Sequence, residues 1–255
     1  MNDYLIKGGL KKGDKILLHS NLTFLLKILL RQKIIFNIKN IAESILDFLG
    51  PTGTLILPTF NFEFCKGSSF SFLDTKSQMG ILSETLRSSY KKNRTWHPVY
   101  SFTIHGNVPQ NELLKKNYSA YGKDSIFNWL VNNDGKIAII DLSDQHSMTF
   151  YHHVEEAMNV DWRFFKNFSG IYEDFHRKKS MVDATIFVRK IDDGIVTDVN
   201  NMERLLWSKN LYKGHKLNSR EGLRTILAKD IFFETKEVIN KKMALGILYK
   251  KKIIR

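Results

Sequence analysis

The segment 143–163, SDQHSMTFYHHVEEAMNVDWR, carries the side chains best suited to acid–base chemistry. His152 and Glu155 are three residues apart in TFYHHVEEAM, a stretch that predicts a helix, so both side chains share one helix face. A carboxylate beside an imidazole fixes its tautomer and raises its basicity. The pair is therefore a candidate general base with its orienting partner, and it follows an apolar run at 136–142 that predicts a buried strand.

Two other interpretations of these residues stay open on spacing alone. The doublets His152-His153 and Glu155-Glu156 also fit a solvated helix face with ordinary ion pairs, and His153 is the expected outward neighbour. Histidine and glutamate are metal ligands too, but HHVEE lacks the H-E-x-x-H spacing and no second Cys/His cluster appears, so no metal site is expected. Thr149 precedes the helix and is the expected N-cap, because its hydroxyl can accept a free backbone N–H.

Length and composition indicate a globular chain that can form one large core. The 255 residues are 43% hydrophobic, and we expect a single domain over 1–255. The single cysteine, Cys65, excludes an internal disulfide and favours a reducing compartment, so a cytoplasmic location is expected. The N-terminus lacks the pattern of a signal peptide, and the early apolar run LTFLLKILL is interrupted by Lys27, so no membrane insertion is expected. The sequence does not give the oligomeric state.

The charge balance favours anionic partners. Lys and Arg number 39 against 26 Asp and Glu, which gives a formal net charge of +13. The basic residues are scattered and no nucleic-acid-binding signature is present, so nucleic acid is not an expected partner. A strongly cationic substrate would be repelled unless its pocket were locally acidic.

The elements that must position the His-Glu segment alternate between strands and helices. Strand patterns occupy residues 13–20, 54–59, 100–104, 136–142, 184–189 and 243–249. Helical spacing of apolar residues occupies 22–31, 41–49, 81–90, 125–131, 149–158, 202–207 and 221–227. This alternation predicts a layered α/β fold with one sheet, and the long connection at 60–78 is a candidate functional loop.

Five motifs occur in an order that resembles the aminoglycoside 3-N-acetyltransferase family. They are H-S-x-L at 19–22, G-T-L-x-x-P-T at 53–59, S-x-x-G-x-L-x-E-x-x-R at 77–87, an R-S-x-H-P-x-x-S pattern at 94–101 with Thr95 in place of serine, and T-x-x-H-x-x-E at 149–155. The matching blocks run from about residue 13 to residue 163. The resemblance implies a three-layer α/β/α sandwich around one mixed central sheet.

The resemblance also implies acyl transfer from a coenzyme A thioester to a sugar amine, without a metal. His152 would be the general base and Glu155 its partner, with direct transfer in a ternary complex. The residues that would lie along coenzyme A are Ser20, Asn21, Leu22, Arg94, Trp96, His97 and Ser101. The weaker candidates for contact with the acceptor are Glu63, Thr149 and Tyr121.

Some members of the family acetylate aminoglycosides, whereas others acylate amino sugars held on a nucleotide. The net charge of +13 disfavours a polycationic acceptor such as an aminoglycoside. The 60–78 loop has only Glu63 and Asp74 as acids but five phenylalanines, which could stack on a nucleotide base. The stretch 160–170 also resembles the branch of the family that acts on nucleotide sugars. We therefore expect a nucleotide-linked, dTDP-type amino-deoxy sugar as acceptor, for surface polysaccharide synthesis. The expected donor is acetyl-CoA or 3-hydroxybutanoyl-CoA. The alternatives are aminoglycoside acetylation and a non-catalytic coenzyme A-binding protein.

Overall fold

The computed structural model describes residues 1–34, 37–109, 115–216 and 222–252. Its strands are β1 (Lys15–Ser20), β2 (Thr54–Pro58), β3 (Phe70–Ser71), β4 (Phe102–Gly106), β5 (Lys136–Ile140), β6 (Arg163–Glu173), β7 (Lys179–Arg189), β8 (Ile195–Thr197), β9 (Lys213–Gly214), β10 (Leu223–Leu227) and β11 (Tyr249–Lys251). Its helices are α1 (Asn2–Lys7), α2 (Thr23–Arg31), α3 (Ile38–Leu49), α4 (Ile81–Ser89), α5 (Ile126–Asn132), α6 (Asp144–Ser147), α7 (Phe150–Ala157), α8 (Asn200–Ser208) and α9 (Ala228–Asn240).

A six-stranded mixed sheet forms the centre, in the order β4-β2-β1-β5-β10-β9. Strands β2, β1 and β5 are parallel, and the flanking strands β4, β10 and β9 run antiparallel to their neighbours. The carboxyl ends of the parallel strands therefore meet at one edge, which is where open α/β sheets place their ligands. The prediction of one mixed central sheet is confirmed.

Alternating side chains of the central strands divide the core into two layers. In β1, Ile16 and Leu18 face a cluster with residues of α1 to α4, whereas Leu17 faces a cluster with Phe127 of α5 and Ile231 of α9. All three β1 side chains are at most 2% exposed. Helices thus cover both faces of the sheet, and the prediction of a three-layer α/β/α sandwich is confirmed.

A long hairpin stands beside the central sheet and carries one wall of the site. Strands β6 and β7 are 11 residues each and pair antiparallel along their whole length, from Arg163 opposite Arg189 to Glu173 opposite Lys179. Only the 184–189 part had been predicted as strand, because alternation is weak where both faces of a hairpin are partly exposed. The short strand β3 extends this sheet on the β6 side.

Two predicted elements near the C-terminus are wrong. Residue 221 lies outside the described residues, but 223–227 forms β10, which pairs with β5 and is almost entirely buried, so the apolar residues there serve a strand. Most of 243–249 turns instead of extending, and only Tyr249 belongs to a strand, β11, which pairs with β8. Among the described residues, no helix is both long and apolar enough to cross a membrane.

Candidate active site

Helix α7 carries the His-Glu pair at the carboxyl edge of the central sheet. The chain leaves β5, forms the single turn of α6 and enters α7 at Phe150. Thr149 occupies the N-cap position but has helical backbone angles, φ −58° and ψ −20°, and its side chain makes no capping hydrogen bond. The predicted hydroxyl cap is therefore wrong, because α6 ends directly before α7 and already places Thr149 in a helical conformation.

His152 and Glu155 form a hydrogen-bonded pair, as their spacing predicts. Nδ1 of His152 lies 2.8 Å from Oε2 of Glu155. The other carboxylate oxygen, Oε1, accepts a hydrogen bond of 2.9 Å from the indole N–H of Trp162. The Glu155 side chain is 3% exposed, whereas that of His152 is 20% exposed. The Glu155 carboxylate is thus buried behind the imidazole, and only the His152 ring is partly exposed to solvent.

The Glu155 contact fixes the tautomer of His152. A carboxylate can only accept, so the hydrogen of the neutral ring lies on Nδ1 and the lone pair lies on Nε2. A third group completes the cluster: Nε of Arg163 lies 2.7 Å from Oε2 of Glu155 as an ion pair, and Nη2 lies 2.7 Å from Nδ1 of His152. Because Nδ1 carries its hydrogen toward Glu155, Nη2 meets the ring there as a like charge and donates no hydrogen bond to it. Nη1 of Arg163 donates to the carbonyl of Phe187 at 2.9 Å, which ties the cluster to β7.

The protonation states follow from burial and from Arg163. Burial lowers the pKa of His152, Arg163 lowers it further, and Glu155 opposes both. Burial raises the pKa of Glu155, but Arg163 and His152 outweigh that effect and the net shift is downward. At neutral pH the pair is therefore a neutral imidazole beside a carboxylate, which is the state that a general base requires.

His152 opens into a cavity of about 490 Å³ between α7 and the β6–β7 hairpin, called here the dyad cavity. Its lining consists of Tyr100, Tyr121, His152, Arg163, Phe164, Lys166, Phe168, Ile186, Phe187, Val188, Arg189, Ile191, Asp192 and Thr197. The Tyr121 ring meets the His152 ring edge to face at 5.4 Å. Three of these side chains are guanidinium or ammonium cations and one is a carboxylate, so the lining carries a cationic excess.

A second cavity, of about 490 Å³ and called here the strand-end cavity, lies at the carboxyl ends of β1 and β2. Ser20, Asn21 and Leu22 line it, together with the starts of α2 and α4. The rest of its lining is His19, Thr23, Leu26, Pro58, Gln78, Met79, Gly80, Ile81, Leu82, Leu142 and His146. Among the described residues, no lysine or arginine belongs to this lining, so an anion there would depend on backbone N–H groups at the helix starts.

Arg94 and Ser101, which were expected to lie along coenzyme A, line neither of these two cavities. The Arg94 guanidinium is 1% exposed and donates to Oγ of Ser101 at 2.9 Å. It also donates to the carbonyls of Thr59 at 3.1 Å and Thr75 at 2.6 Å. Arg94 therefore holds the 60–78 loop against β2.

His97 and Trp96 likewise belong to the framework and line neither of the two cavities. His97 is fully buried, and its Nδ1 accepts the backbone N–H groups of Val99 at 3.1 Å and Tyr100 at 2.9 Å. Burial lowers the pKa of His97 to about 3, so the ring is neutral. Trp96 is 8% exposed and stacks on Tyr172 at 5.3 Å. This segment shapes the turn that brings Tyr100 into the dyad cavity.

Glu63 and Tyr121, two candidates for acceptor contact, differ in position. Glu63 lies on a 3₁₀ turn (Glu63–Lys66), is paired with Lys66 at 2.9 Å and lines neither cavity. Tyr121 is buried and lines the dyad cavity beside His152. Burial raises the pKa of the Tyr121 hydroxyl well above its ordinary value, so this group stays a hydrogen-bond donor.

Sequence reasoning missed Arg163, Lys166 and Arg189 as site residues. The signal was present, since the stretch 160–170 was singled out as basic and aromatic, but its strand period was not recognised. Once β6 is a strand, Phe164, Lys166 and Phe168 share one face by alternation, and that face lines the dyad cavity. In the described part of the chain, no group of three or more His, Cys, Asp or Glu side chains could hold a metal ion.

Comparison with known proteins gives a family and a fold. The model of the aminoglycoside 3-N-acetyltransferase family matches residues 17–223, which is most of the chain. No curated protein matches the sequence. The aminoglycoside acetyltransferase AAC(3)-Xa is similar in structure, with a TM-score of 0.77 at 16% identity over 95% of this chain and 92% of that one.

Two further solved structures are similar over nearly their whole lengths. AAC-IIIb, in a binary complex with CoASH, has a TM-score of 0.76 at 16% identity and covers 94% of this chain and 95% of its own. YokD from Bacillus subtilis has a TM-score of 0.71 at 15% identity, over 93% and 96% of the two chains. At these identities the structures show a shared fold, whereas the match over 17–223 shows the family. The chain is an acyl-CoA-dependent N-acetyltransferase and belongs to the aminoglycoside 3-N-acetyltransferase family.

Proposed function

We propose that this enzyme transfers an acyl group from acyl-CoA to the amino group of a nucleotide-linked amino-deoxy sugar of the dTDP type, for surface polysaccharide synthesis. The observation that carries the proposal is the charge of the dyad cavity. Lys166 and Arg189 line it together with Arg163, whose charge Glu155 compensates, and Asp192 is the one carboxylate among its described lining residues. A diphosphate would be attracted to this lining, whereas an aminoglycoside with several ammonium groups would be repelled.

The aromatic residues of the same wall suit the nucleoside part of such an acceptor. Phe164 is 44% exposed and, with Phe168, lies on the β6 face that lines the cavity. The ammonium of Lys166 lies 5.3 Å from the centroid of the Phe168 ring. A flat base can stack on an exposed phenylalanine while its phosphates approach the neighbouring cations. The hairpin would then bind both the base and the phosphates of the nucleotide.

His152 acts as the general base in this account. The attacking amine must be neutral, because an ammonium has no lone pair, and Nε2 of His152 is available to remove a proton as the new C–N bond forms. Glu155 balances the charge of the imidazolium that results and holds the ring in orientation. The acyl group passes directly to the amine, and the thiolate of coenzyme A leaves.

An acyl-enzyme intermediate on cysteine is not part of the proposal. Cys65 lines neither cavity, and burial raises the pKa of its thiol, so the reactive thiolate is disfavoured. Direct transfer in a ternary complex leaves orientation of the two substrates as the main demand on the protein. It also predicts that no acyl group stays on the enzyme in the absence of an acceptor.

The strand-end cavity is our proposed site for the phosphate-bearing part of acyl-CoA. Ser20, Asn21 and Leu22, the residues that the resemblance places along coenzyme A, line this cavity, and this supports the proposal. Helices α2 and α4 both begin there, and helix starts present unpaired N–H groups and positive partial charge. The donor is acetyl-CoA or 3-hydroxybutanoyl-CoA. Residues 1–255 would act as one domain in the cytoplasm, where acyl-CoA is made.

Aminoglycoside acetylation is the second candidate function. It is favoured by the family match and by similarity to AAC-VIa, which was solved bound to sisomicin and resembles this chain with a TM-score of 0.75 at 16% identity. The physical objection is the cationic lining of the dyad cavity. The acceptor class is therefore where the two candidates differ most sharply.

Release of coenzyme A from acetyl-CoA, measured with two acceptor sets in parallel, tests the proposal. One set is an aminoglycoside panel and the other is a panel of dTDP- and UDP-linked amino-deoxy sugars. We expect turnover with a nucleotide sugar and none above background with aminoglycosides. Turnover confined to aminoglycosides would overturn the proposed acceptor while leaving the role of His152 intact.

A further inference from the structure

The buried side chain of Arg163 contacts three different groups: the Glu155 carboxylate, the His152 ring and a backbone carbonyl of β7. Its Nε lies 2.7 Å from Oε2 of Glu155, and its Nη2 lies 2.7 Å from Nδ1 of His152. Its Nη1 donates to the carbonyl of Phe187 at 2.9 Å. The side chain is 5% exposed. A buried guanidinium therefore stands between the base, its carboxylate partner and the hairpin strand β7.

We propose that Arg163 is a positioning residue of the acyl transfer, which holds Glu155 against His152 and keeps the imidazole singly protonated and ready to accept a proton. This inference rests on the proposed role of His152 as general base. It concerns the state of the base before the acceptor binds, so it does not depend on which sugar the enzyme uses.

The geometry explains why a cation is needed beside a pair that already has a carboxylate. Glu155 alone favours a doubly protonated His152, because a buried negative charge stabilises the imidazolium. An imidazolium has no lone pair and cannot serve as base. Arg163 satisfies the charge of Glu155 from the other side and places a like charge 2.7 Å from Nδ1, which opposes a second proton on the ring.

Among the described residues, the charged or titratable groups around His152 come from several elements. They are Glu155 on its own helix, Arg163 and Lys166 on β6, Arg189 at the end of β7, Asp192 on the following turn, and Tyr100 and Tyr121 on the opposite wall. Burial lowers the pKa of His152 first, Arg163 second, and Arg189 contributes last. Arg163 is thus the cation with the closest contact and the largest effect.

The hairpin register makes this arrangement specific to Arg163. Arg163 and Arg189 are direct cross-strand partners, and like charges in such positions repel. Arg189 is exposed and lines the cavity, whereas Arg163 is buried and compensated by Glu155. The carbonyl of Phe187 then fixes the guanidinium from β7. Arg163 thus links β7 directly to His152 and Glu155.

The test compares Arg163→Met and Arg163→Lys with Arg204→Met, which removes an exposed arginine on α8. Two readouts are measured across pH: kcat/KM with the best acceptor, and the titration of the His152 ring by NMR on histidine-labelled protein, assigned with His152→Ala. For Arg163→Met we expect the acid limb of kcat/KM and the ring titration to move up together by about one pH unit or more. Arg204→Met should move neither.

Arg163→Lys separates charge from position. An ammonium can keep the charge near Glu155 but cannot span Glu155, His152 and the Phe187 carbonyl at once. We therefore expect the acid limb to stay within about half a pH unit of wild type while kcat falls about tenfold. If Arg163→Met does not fold, Arg163→Lys and the titration of His152 in the wild-type protein test the proposed role of Arg163.

The inference is overturned if Arg163→Met lowers activity by the same factor at every pH and leaves the His152 titration where it was. It is also overturned if wild-type His152 titrates above the ordinary histidine value. Failure of the proposed base would look different: the NMR titration would still move with Arg163→Met, but His152→Ala would keep its activity.

Discussion

Helix α7 contains the same pair of residue types twice, shifted by one position. His152 and Glu155 contact each other at 2.8 Å, and the ring opens into the dyad cavity. His153 and Glu156 make no such contact. Instead, Nδ1 of His153 donates to the carbonyl of Tyr121 at 2.6 Å, and Oε1 of Glu156 accepts from the hydroxyl of Ser119 at 2.6 Å.

One step along a helix turns a side chain by about 100°, so the two pairs face different parts of the molecule. The first pair is the candidate catalytic pair, and the second has a structural role. The first pair faces the hairpin, where Trp162 and Arg163 complete a charged cluster. The second pair faces the 117–122 segment and anchors it, which places Tyr121 against the His152 ring. Spacing alone cannot tell the pairs apart, because both satisfy it. What differs is the element that each helix face meets.

Loss of the base should have the largest effect. His152→Ala removes the group that accepts the amine proton, so we expect kcat to fall by about 10²- to 10⁴-fold. The ring is on the cavity side and is 20% exposed, so the unfolding temperature should change little. Steady-state kinetics and thermal unfolding of the same preparation check both parts. Activity within a few fold of wild type would remove His152 from the mechanism.

Loss of the orienting carboxylate should cost less. Glu155→Gln leaves the base in place but removes the charge that stabilises the imidazolium and weakens the contacts of Trp162 and Arg163. We expect a fall in kcat of about ten- to a hundredfold, with the Michaelis constant of the acceptor nearly unchanged. The matched control is Glu156→Gln, which should keep kcat within a few fold. Equal losses in the two variants would contradict the distinction between the pairs.

A change in the cavity wall should alter binding more than chemistry. Lys166→Met removes a cation from the lining, so we expect the Michaelis constant for a phosphate-bearing acceptor to rise about threefold to tenfold at nearly constant kcat. Lys178→Met, in the exposed turn of the same hairpin, is the control. A higher affinity for aminoglycosides in Lys166→Met, with nucleotide sugars unaffected, would favour the second candidate function.

The second histidine should matter for stability and little for catalysis. His153→Ala removes a ring that is 3% exposed and leaves the Tyr121 carbonyl without its donor, so we expect about 1–3 kcal/mol of destabilisation. The kcat should stay within about tenfold of wild type, and the acid limb of its pH profile should not move. Chemical denaturation and the pH profile of kcat/KM measure the two effects. A shifted acid limb would give His153 a share in the chemistry.

Local patterns predicted the parts of the molecule that local forces determine. The spacing of His152 and Glu155 on one helix face needed only helix geometry, and the strands at 13–20, 54–59 and 136–142 were apolar enough to recognise. The layered fold followed from the alternation of these elements. The segment 221–227 was misjudged because a short apolar run fits either element, and its pairing with β5 decides in favour of a strand.

The remaining features depend on contacts between distant parts of the chain. Arg163 reaches His152 only because β6 pairs with β7 and turns its first residue inward. Arg94 was expected to lie along coenzyme A, but it donates to the carbonyls of Thr59, directly after β2, and Thr75, in a loop that folds back onto it. A residue of a family motif can therefore have a structural role. A buried arginine that holds a loop cannot easily be replaced by another residue type, and the same is true of an arginine that binds a ligand.

The central claim is that His152 and Glu155 act as one catalytic unit, and a double-mutant cycle on kcat tests it most directly. The cycle uses His152→Ala, Glu155→Gln and the double variant, with nucleotide-sugar and aminoglycoside acceptors assayed in parallel. Because Glu155 acts through the ring, we predict that the double variant is about as slow as His152→Ala alone. If the two losses multiply in the double variant, Glu155 acts independently of His152 and the catalytic pair described here is contradicted.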